Sequence, residues 1–189
     1  MATPFGSLGR PAATRYDASP ATPSETRAAA PVVRYTLAST RLVLAFIFLW
    51  AFLDKLLGLG YATPAARAWV NGGSPTAGFL KSTDGPAAGV FQAMAGNAFV
   101  DTLFMMGLLL IGLALLAGIG LRVAAASGAL LMLLMWAAVM PVATNPLVDD
   151  HIVYALVLVA LAAASAGDTW GLGRQWARVP LVQRYPILR

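Results

Sequence analysis

The sequence predicts an all-α integral membrane protein: a four-helix bundle behind a disordered N-terminal tail. Three observations carry this. Of the 189 residues, 59% are hydrophobic and 11% charged, with a mean hydropathy of +0.72, whereas a soluble domain carries about 25% charged residues. Four apolar runs, at about 37–57, 99–119, 123–140 and 149–166, approach the length a helix needs to cross a hydrocarbon core of roughly 30 Å. The charged residues gather at the ends of these runs. There is no cysteine, which excludes disulfides, thiol nucleophiles and thiolate metal sites within the chain. The net charge of +5 is spread along basic flanks instead of one patch. That distribution argues for a lipid bilayer as partner and against nucleic acid.

Residues 1–34 are rich in Pro, Ala, Ser and Thr and show no apolar periodicity. Such a stretch buries too little surface to offset chain entropy, so a disordered tail is expected there. It is not a cleavable signal, because the first apolar run begins too far in and is too long. Residues 35–180 form the membrane domain. In the first run, Arg41 lies one turn in, where a long side chain snorkels to the headgroups. Asp54-Lys55 lies near the far end, and Gly58 and Gly60 end the helix. The connection from Tyr61 to Asn97 is long enough to expect function or short helices of its own. Residues 65–70 and 87–95 are the candidates, lying in the interface or folded over the bundle.

The second and third runs are separated only by Gly120 to Arg122, so they form an antiparallel hairpin. Ala114/Gly118 and Ala124/Gly128 are small pairs that permit close helix approach. Met132, Met135, Trp136 and Met140 recur at helical spacing and read as packing. Before the fourth run, Asn145-Pro146 reads as a cap followed by its first-turn proline, and Asp149 or Asp150 as a carboxylate that favours the positive end of the helix. Trp170 and Trp176 suit the membrane interface, and residues 181–189 form a basic C-terminal tail.

Four spans put both termini on one side. Ten of the thirteen basic residues then share that side: Arg10, Arg15, Arg27, Arg34, Arg41, Arg122, Arg174, Arg178, Arg184 and Arg189, against Lys55, Arg67 and Lys81 opposite. This asymmetry predicts cytoplasmic termini in a plasma membrane.

The polar residues at the outer end are the candidates for chemistry. Asp54-Lys55, Asp101 and Asp149-Asp150-His151 sit at the outer ends of the first, second and fourth runs, so a bundle brings them toward one pocket below the long loop. Ionisable groups at membrane depth are expensive and mark sites by default. His151 and Tyr154 share a helical face, as do Asp150 and Tyr154. A histidine beside carboxylates moves protons near neutral pH or hydrogen-bonds a carbonyl ligand. Together with a tyrosine the set suits a quinone headgroup. No metal is expected, since one histidine with aspartates lacks zinc-site spacing.

Phe48-Leu-Trp-Ala-Phe-Leu-Asp-Lys55, Trp69-Val-Asn-Gly-Gly-Ser-Pro75, Asn145-Pro-Leu-Val-Asp-Asp-His151 and Ala166-Gly-Asp-Thr-Trp-Gly-Leu-Gly173 resemble the DoxX family of small bacterial membrane proteins, in its actinobacterial form. The likeness runs from about Arg34 to Pro180. That family is similar to the membrane subunit of thiosulfate:quinone oxidoreductase. The resemblance implies a quinone-associated redox subunit with an outward-facing polar pocket and a redox protein as partner. In that reading His151 hydrogen-bonds or protonates the headgroup, Lys55 stabilises anionic quinone, and Asp150 orients His151. Asp54, Asp101, Asp149, Tyr154, Trp69 and Asn71 complete the pocket. The quinone is the one ligand implied, and no covalent cofactor is expected. The alternatives are a non-enzymatic scaffold for soluble redox partners, or a small-solute carrier.

Overall fold

A computed structural model describes residues 23–142 and 145–189, with side chains described from residue 30 onward. The chain is helical throughout, with no strand among the described residues. Its elements are α1 (Pro23–Leu57), α2 (Ala77–Lys81), α3 (Ala88–Met94), α4 (Ala98–Ala117), α5 (Leu121–Val139), α6 (Asp150–Ala163), α7 (Gly173–Trp176) and α8 (Pro180–Arg184). Short 3-10 turns at Ala65–Arg67, Trp69–Asn71, Ala166–Asp168 and Pro186–Leu188 link them.

Three helices are long and apolar enough to cross a membrane: Ala30–Leu57 within α1, then α4 and α5. Each buries one stripe and leaves the rest apolar. Leu44, Ala45 and Phe48 of α1 meet Leu108, Ile111 and Leu115 of α4. Leu121, Ala125 and Met132 of α5 and Ala155, Leu158 and Leu161 of α6 complete the core. The spacing is that of one helical face. Val43, Phe46, Leu110, Leu113, Leu130, Leu134, Leu156 and Val159 are exposed on the outer faces. So much apolar surface turned outward is what a lipid environment requires, and a soluble chain avoids it.

Helix α1 packs on α4, α4 on α5, and α5 most extensively on α6, while α6 barely touches α1. Glycines set the closest approaches. A Cβ on Gly112 would meet the Leu49 side chain at 2.7 Å, and one on Gly128 would meet Leu158 at 2.8 Å. The α4–α5 turn has Gly118 and Gly120 in left-handed backbone, at φ 72° and 60°, where a Cβ is strained.

Two expectations are corrected. Residues 23–34, read from composition as part of a disordered tail, belong to α1. Pro23 occupies the first helical position, where its fixed φ is already helical, and the Ala28-Ala29-Ala30 run has high helix propensity. The rest of the expected tail, residues 1–22, lies outside the described residues. The fourth run, expected over 149–166, yields a 14-residue helix, about 21 Å long and shorter than a bilayer core. It stops where Ser165 turns into left-handed backbone at φ 50°.

Candidate functional site

The long connection folds back over the bundle as a lid. Its first part is a compact turn against the end of α1. Asp54, 2% exposed, accepts from the backbone N–H groups of Tyr61 (3.2 Å) and Ala62 (3.1 Å). Asn71 Nδ2 donates to the Ala65 carbonyl at 2.8 Å. Gly73 passes so close to the Arg67 carbonyl that a Cβ would lie 2.1 Å from it. The Trp69-to-Pro75 motif is therefore a chain reversal that only this glycine permits, and it delivers Thr76 to α4.

There Asp101 waits, 5% exposed in the first turn of α4. Its Oδ1 accepts from the Thr76 N–H at 3.1 Å and from the Thr76 hydroxyl at 2.6 Å. Charge-assisted bonds of this length are strong, so Asp101 clamps the lid to the bundle. Beyond it, α2 and α3 pack on each other, with Gln92 Nε2 donating to the Thr83 carbonyl at 2.6 Å. Asp101→Ala leaves two buried donors unpaired, at about 1–3 kcal/mol each. The expected result is faster amide exchange across residues 76–95, with α4 and α5 protected as before.

Under the lid lies a cavity of about 380 Å³, within the size range of small-molecule pockets. Phe79, Leu80, Val90, Phe91 and Met94 form its lid side. Phe104 of α4 and Leu131, Met135 and Ala138 of α5 form its floor. The cavity's only ionisable lining residue is Lys55, from the last turn of α1. Among the described residues Lys55 makes no hydrogen bond and no ion pair. Its neighbour Asp54 points into the turn after α1, because adjacent side chains face apart on a helix. Pro75 and Thr76 also line the cavity. The arrangement sets one cationic side chain in a mostly apolar lining.

Of the residues expected in a shared pocket, the structure brings only Lys55 to this cavity, with Asp101 behind Thr76. Asp54, Trp69 and Asn71 belong to the adjoining turn. Tyr154 lines a different groove, between α1 and α6, of about 500 Å³ with Ser39, Thr40 and Val157. His151, Asp149 and Asp150 form a separate cluster at the start of α6. Asp149 caps the helix, its Oδ1 accepting from the N–H groups of His151 (3.1 Å) and Ile152 (3.4 Å). Its Oδ2 lies 2.7 Å from His151 Nδ1, and Asp150 Oδ1 lies 3.6 Å from the same nitrogen.

His151→Gln removes the side-chain partner of Asp149 Oδ2 and should loosen the start of α6, read as faster amide exchange there. These three residues could also hold a metal, since their ligand atoms lie within 4.8 Å of one another. The Asp149 carboxylate is already engaged by the helix start, so a cation would have to break the cap.

The residue that sequence reasoning misplaced is Arg41. Instead of snorkelling it is fully buried. Its guanidinium donates to the carbonyls of Leu115 and Leu116 (2.9 Å), in the last turn of α4, and to those of Thr169 (3.2 Å) and Trp170 (2.8 Å). The end of a helix leaves carbonyls unpaired, and lipid offers them nothing. Arg41 satisfies them and ties α1, α4 and the segment after α6 into one knot. The Ala166-to-Gly173 motif wraps this guanidinium. A Cβ on Gly171 would lie 3.2 Å from Arg41 Nη2, and one on Gly167 would lie 2.1 Å from the Gly118 carbonyl. The glycine spacing of that motif was the available signal for a buried cation. No protein-family model, curated protein or solved structure matches the chain.

Proposed function

We propose that the chain is a DoxX-like four-span protein of a bacterial plasma membrane, both termini cytoplasmic, that binds a quinone-class ligand under its outer lid and serves as a redox subunit. The observation that carries this reading is Lys55, a cation without a protein partner among the described residues, in a mostly apolar lining. An aromatic ring with an apolar tail and electron-rich carbonyls suits that combination. Lys55 Nζ donates to a headgroup oxygen and stabilises negative charge on it. Phe79, Phe91 and Phe104 exclude water from the ring. The quinone supplies the two-electron chemistry; with no cysteine the chain has no thiol couple, so a partner delivers or removes electrons. In this reading His151 and Asp150 keep the start of α6 in place instead of contacting the headgroup. A carrier function fits less well, because Arg41 and its glycine collar close the inner end of the bundle.

For the crossing itself, α6 relies on the residues around it, from Leu147 through the Ala166–Asp168 turn, to complete the distance. Reporter fusions at Gly73 and at the C-terminus should report opposite sides; the same side for both would overturn the four-span reading. The functional test is extraction of lipid from the purified protein, followed by titration with a quinone analogue. Saturable binding that a tailed quinone displaces, and that an aliphatic alcohol of equal length does not, is the expected result. Binding that never saturates would reject the pocket.

A further inference from the structure

The apolar part of α1, Ala30–Leu57, has 28 residues and is about 42 Å long, while a hydrocarbon core takes about 20 residues. With the outer boundary near Leu57, the inner boundary falls near Leu37, and the turns before it stand in the headgroup layer. Those turns form one wall of an open groove of about 630 Å³. Ala164, Ser165 and Thr169, after α6, form the other wall. Val33 and Leu37 give it an apolar floor.

Two cations flank it, Arg34 and Arg174, both exposed. Arg34 lies over the Tyr35 ring at 4.8 Å, and Tyr35 in turn packs against Trp170 at 5.2 Å. That aromatic pair is the kind that anchors at the boundary. Among the described residues the one acid lining the groove is Asp168, engaged by Arg189 Nη2 at 3.3 Å. The groove thus offers two guanidinium groups at headgroup height, neither in an ion pair among the described residues, with Leu37 at the boundary to the acyl chains.

We propose that this groove binds one anionic phospholipid, its phosphate between Arg34 and Arg174 and its chains leading past Leu37 into the hydrocarbon. Charge complementarity selects the occupant. Guanidinium groups bind phosphate oxygens through paired N–H donors, whereas a zwitterionic headgroup brings its own cation to the same place. The site does not depend on the quinone pocket, which lies at the opposite end of the bundle.

The test uses the full chain, delipidated in detergent, with phosphatidylglycerol and phosphatidylcholine added in turn and bound lipid counted by native mass spectrometry. Phosphatidylglycerol should bind in preference, and salt should weaken it. Arg34→Gln with Arg174→Gln should weaken it about thirtyfold, from roughly one phosphate contact's worth per arginine. Arg178→Gln with Arg184→Gln removes the same charge from the same tail region and should leave binding unchanged. Equal binding of the two lipids, or equal loss in both double variants, would overturn the site in favour of diffuse surface charge. Glycerol phosphate at the lipid's concentration should not compete; if it does, the groove takes soluble phosphates and the lipid assignment fails. If the Arg34/Arg174 variant does not fold, the lipid preference and salt response of the wild type decide.

Discussion

Arg41→Leu should destabilise the protein by about 3 kcal/mol, although it places a more hydrophobic side chain inside a membrane helix. The substitution removes the donors to four carbonyls, two in buried and two in part-buried bonds: Leu115, Thr169, Leu116 and Trp170. A hydrogen bond from a charged donor contributes about 1.5–3 kcal/mol in water-soluble proteins. Polar pairs between membrane helices average only about 0.6, because the inserted but unfolded chain finds other partners. Four bonds at values between these limits give the estimate. Arg41→Lys keeps the charge but replaces a planar five-donor fork by a compact three-donor ammonium. It cannot reach carbonyls on two separate segments at once, so it should fall between wild type and Arg41→Leu. Unfolding by a harsh detergent in mixed micelles, followed by circular dichroism, gives the order. If Arg41→Leu is as stable as wild type, the carbonyls have other partners and the knot is not what holds that end of the bundle.

Under the proposed function, Lys55→Leu should do the reverse, sparing the fold and weakening the quinone-class ligand. Lys55 is half-buried against an apolar cavity and has no partner among the described residues. Taking it away orphans no acceptor and removes a group whose burial is unfavourable. The thermal midpoint in detergent should therefore stay level or rise. Quinone-analogue affinity should drop about tenfold or more, the scale of one charge-assisted hydrogen bond in a dry site. Lys55→Arg should recover part of it, since the charge stays while the headgroup position shifts. Unchanged affinity in Lys55→Leu would remove Lys55 from the site and leave the cavity a packing defect beneath the lid. A lower thermal midpoint would show instead that Lys55 has a structural partner.

The two substitutions separate what the chain sequence could tell from what it could not. Long apolar runs, sparse charge and glycines at the turns were legible because lipid acts on each segment independently. A helix in hydrocarbon must satisfy its own backbone, so length and composition suffice to find α1, α4 and α5. The acidic start of α6 was legible for a similar reason, since a carboxylate there acts within its own first turn, but the cap falls on Asp149 and not on Asn145, four residues earlier. The helical start of α1 at Pro23 was not, because a Pro- and Ala-rich stretch reads alike as tail or as helix until something extends it. The length of α6 was not legible either, since nothing local marks Ser165 as a stop.

The candidate site was half legible. Lys55 and Asp101 stood out as charges at membrane depth, and the structure places both at the lid. The grouping of Lys55 with His151 followed from assuming that all outer helix ends converge. The actual packing runs α1 to α4 to α5 to α6 with an open seam between α6 and α1, so the two residues face different neighbours. By itself the sequence determined the membrane character, the helices and the polar residues worth watching, because these depend on local composition and on the solvent. Only the tertiary structure decided that Asp101 holds a lid, that Lys55 lines an apolar cavity with no ion pair among the described residues, and that Arg41 is sealed inside. A side chain's role depends on which carbonyls, carboxylates or empty volumes distant segments bring against it, and helix order and glycine-permitted contacts set that.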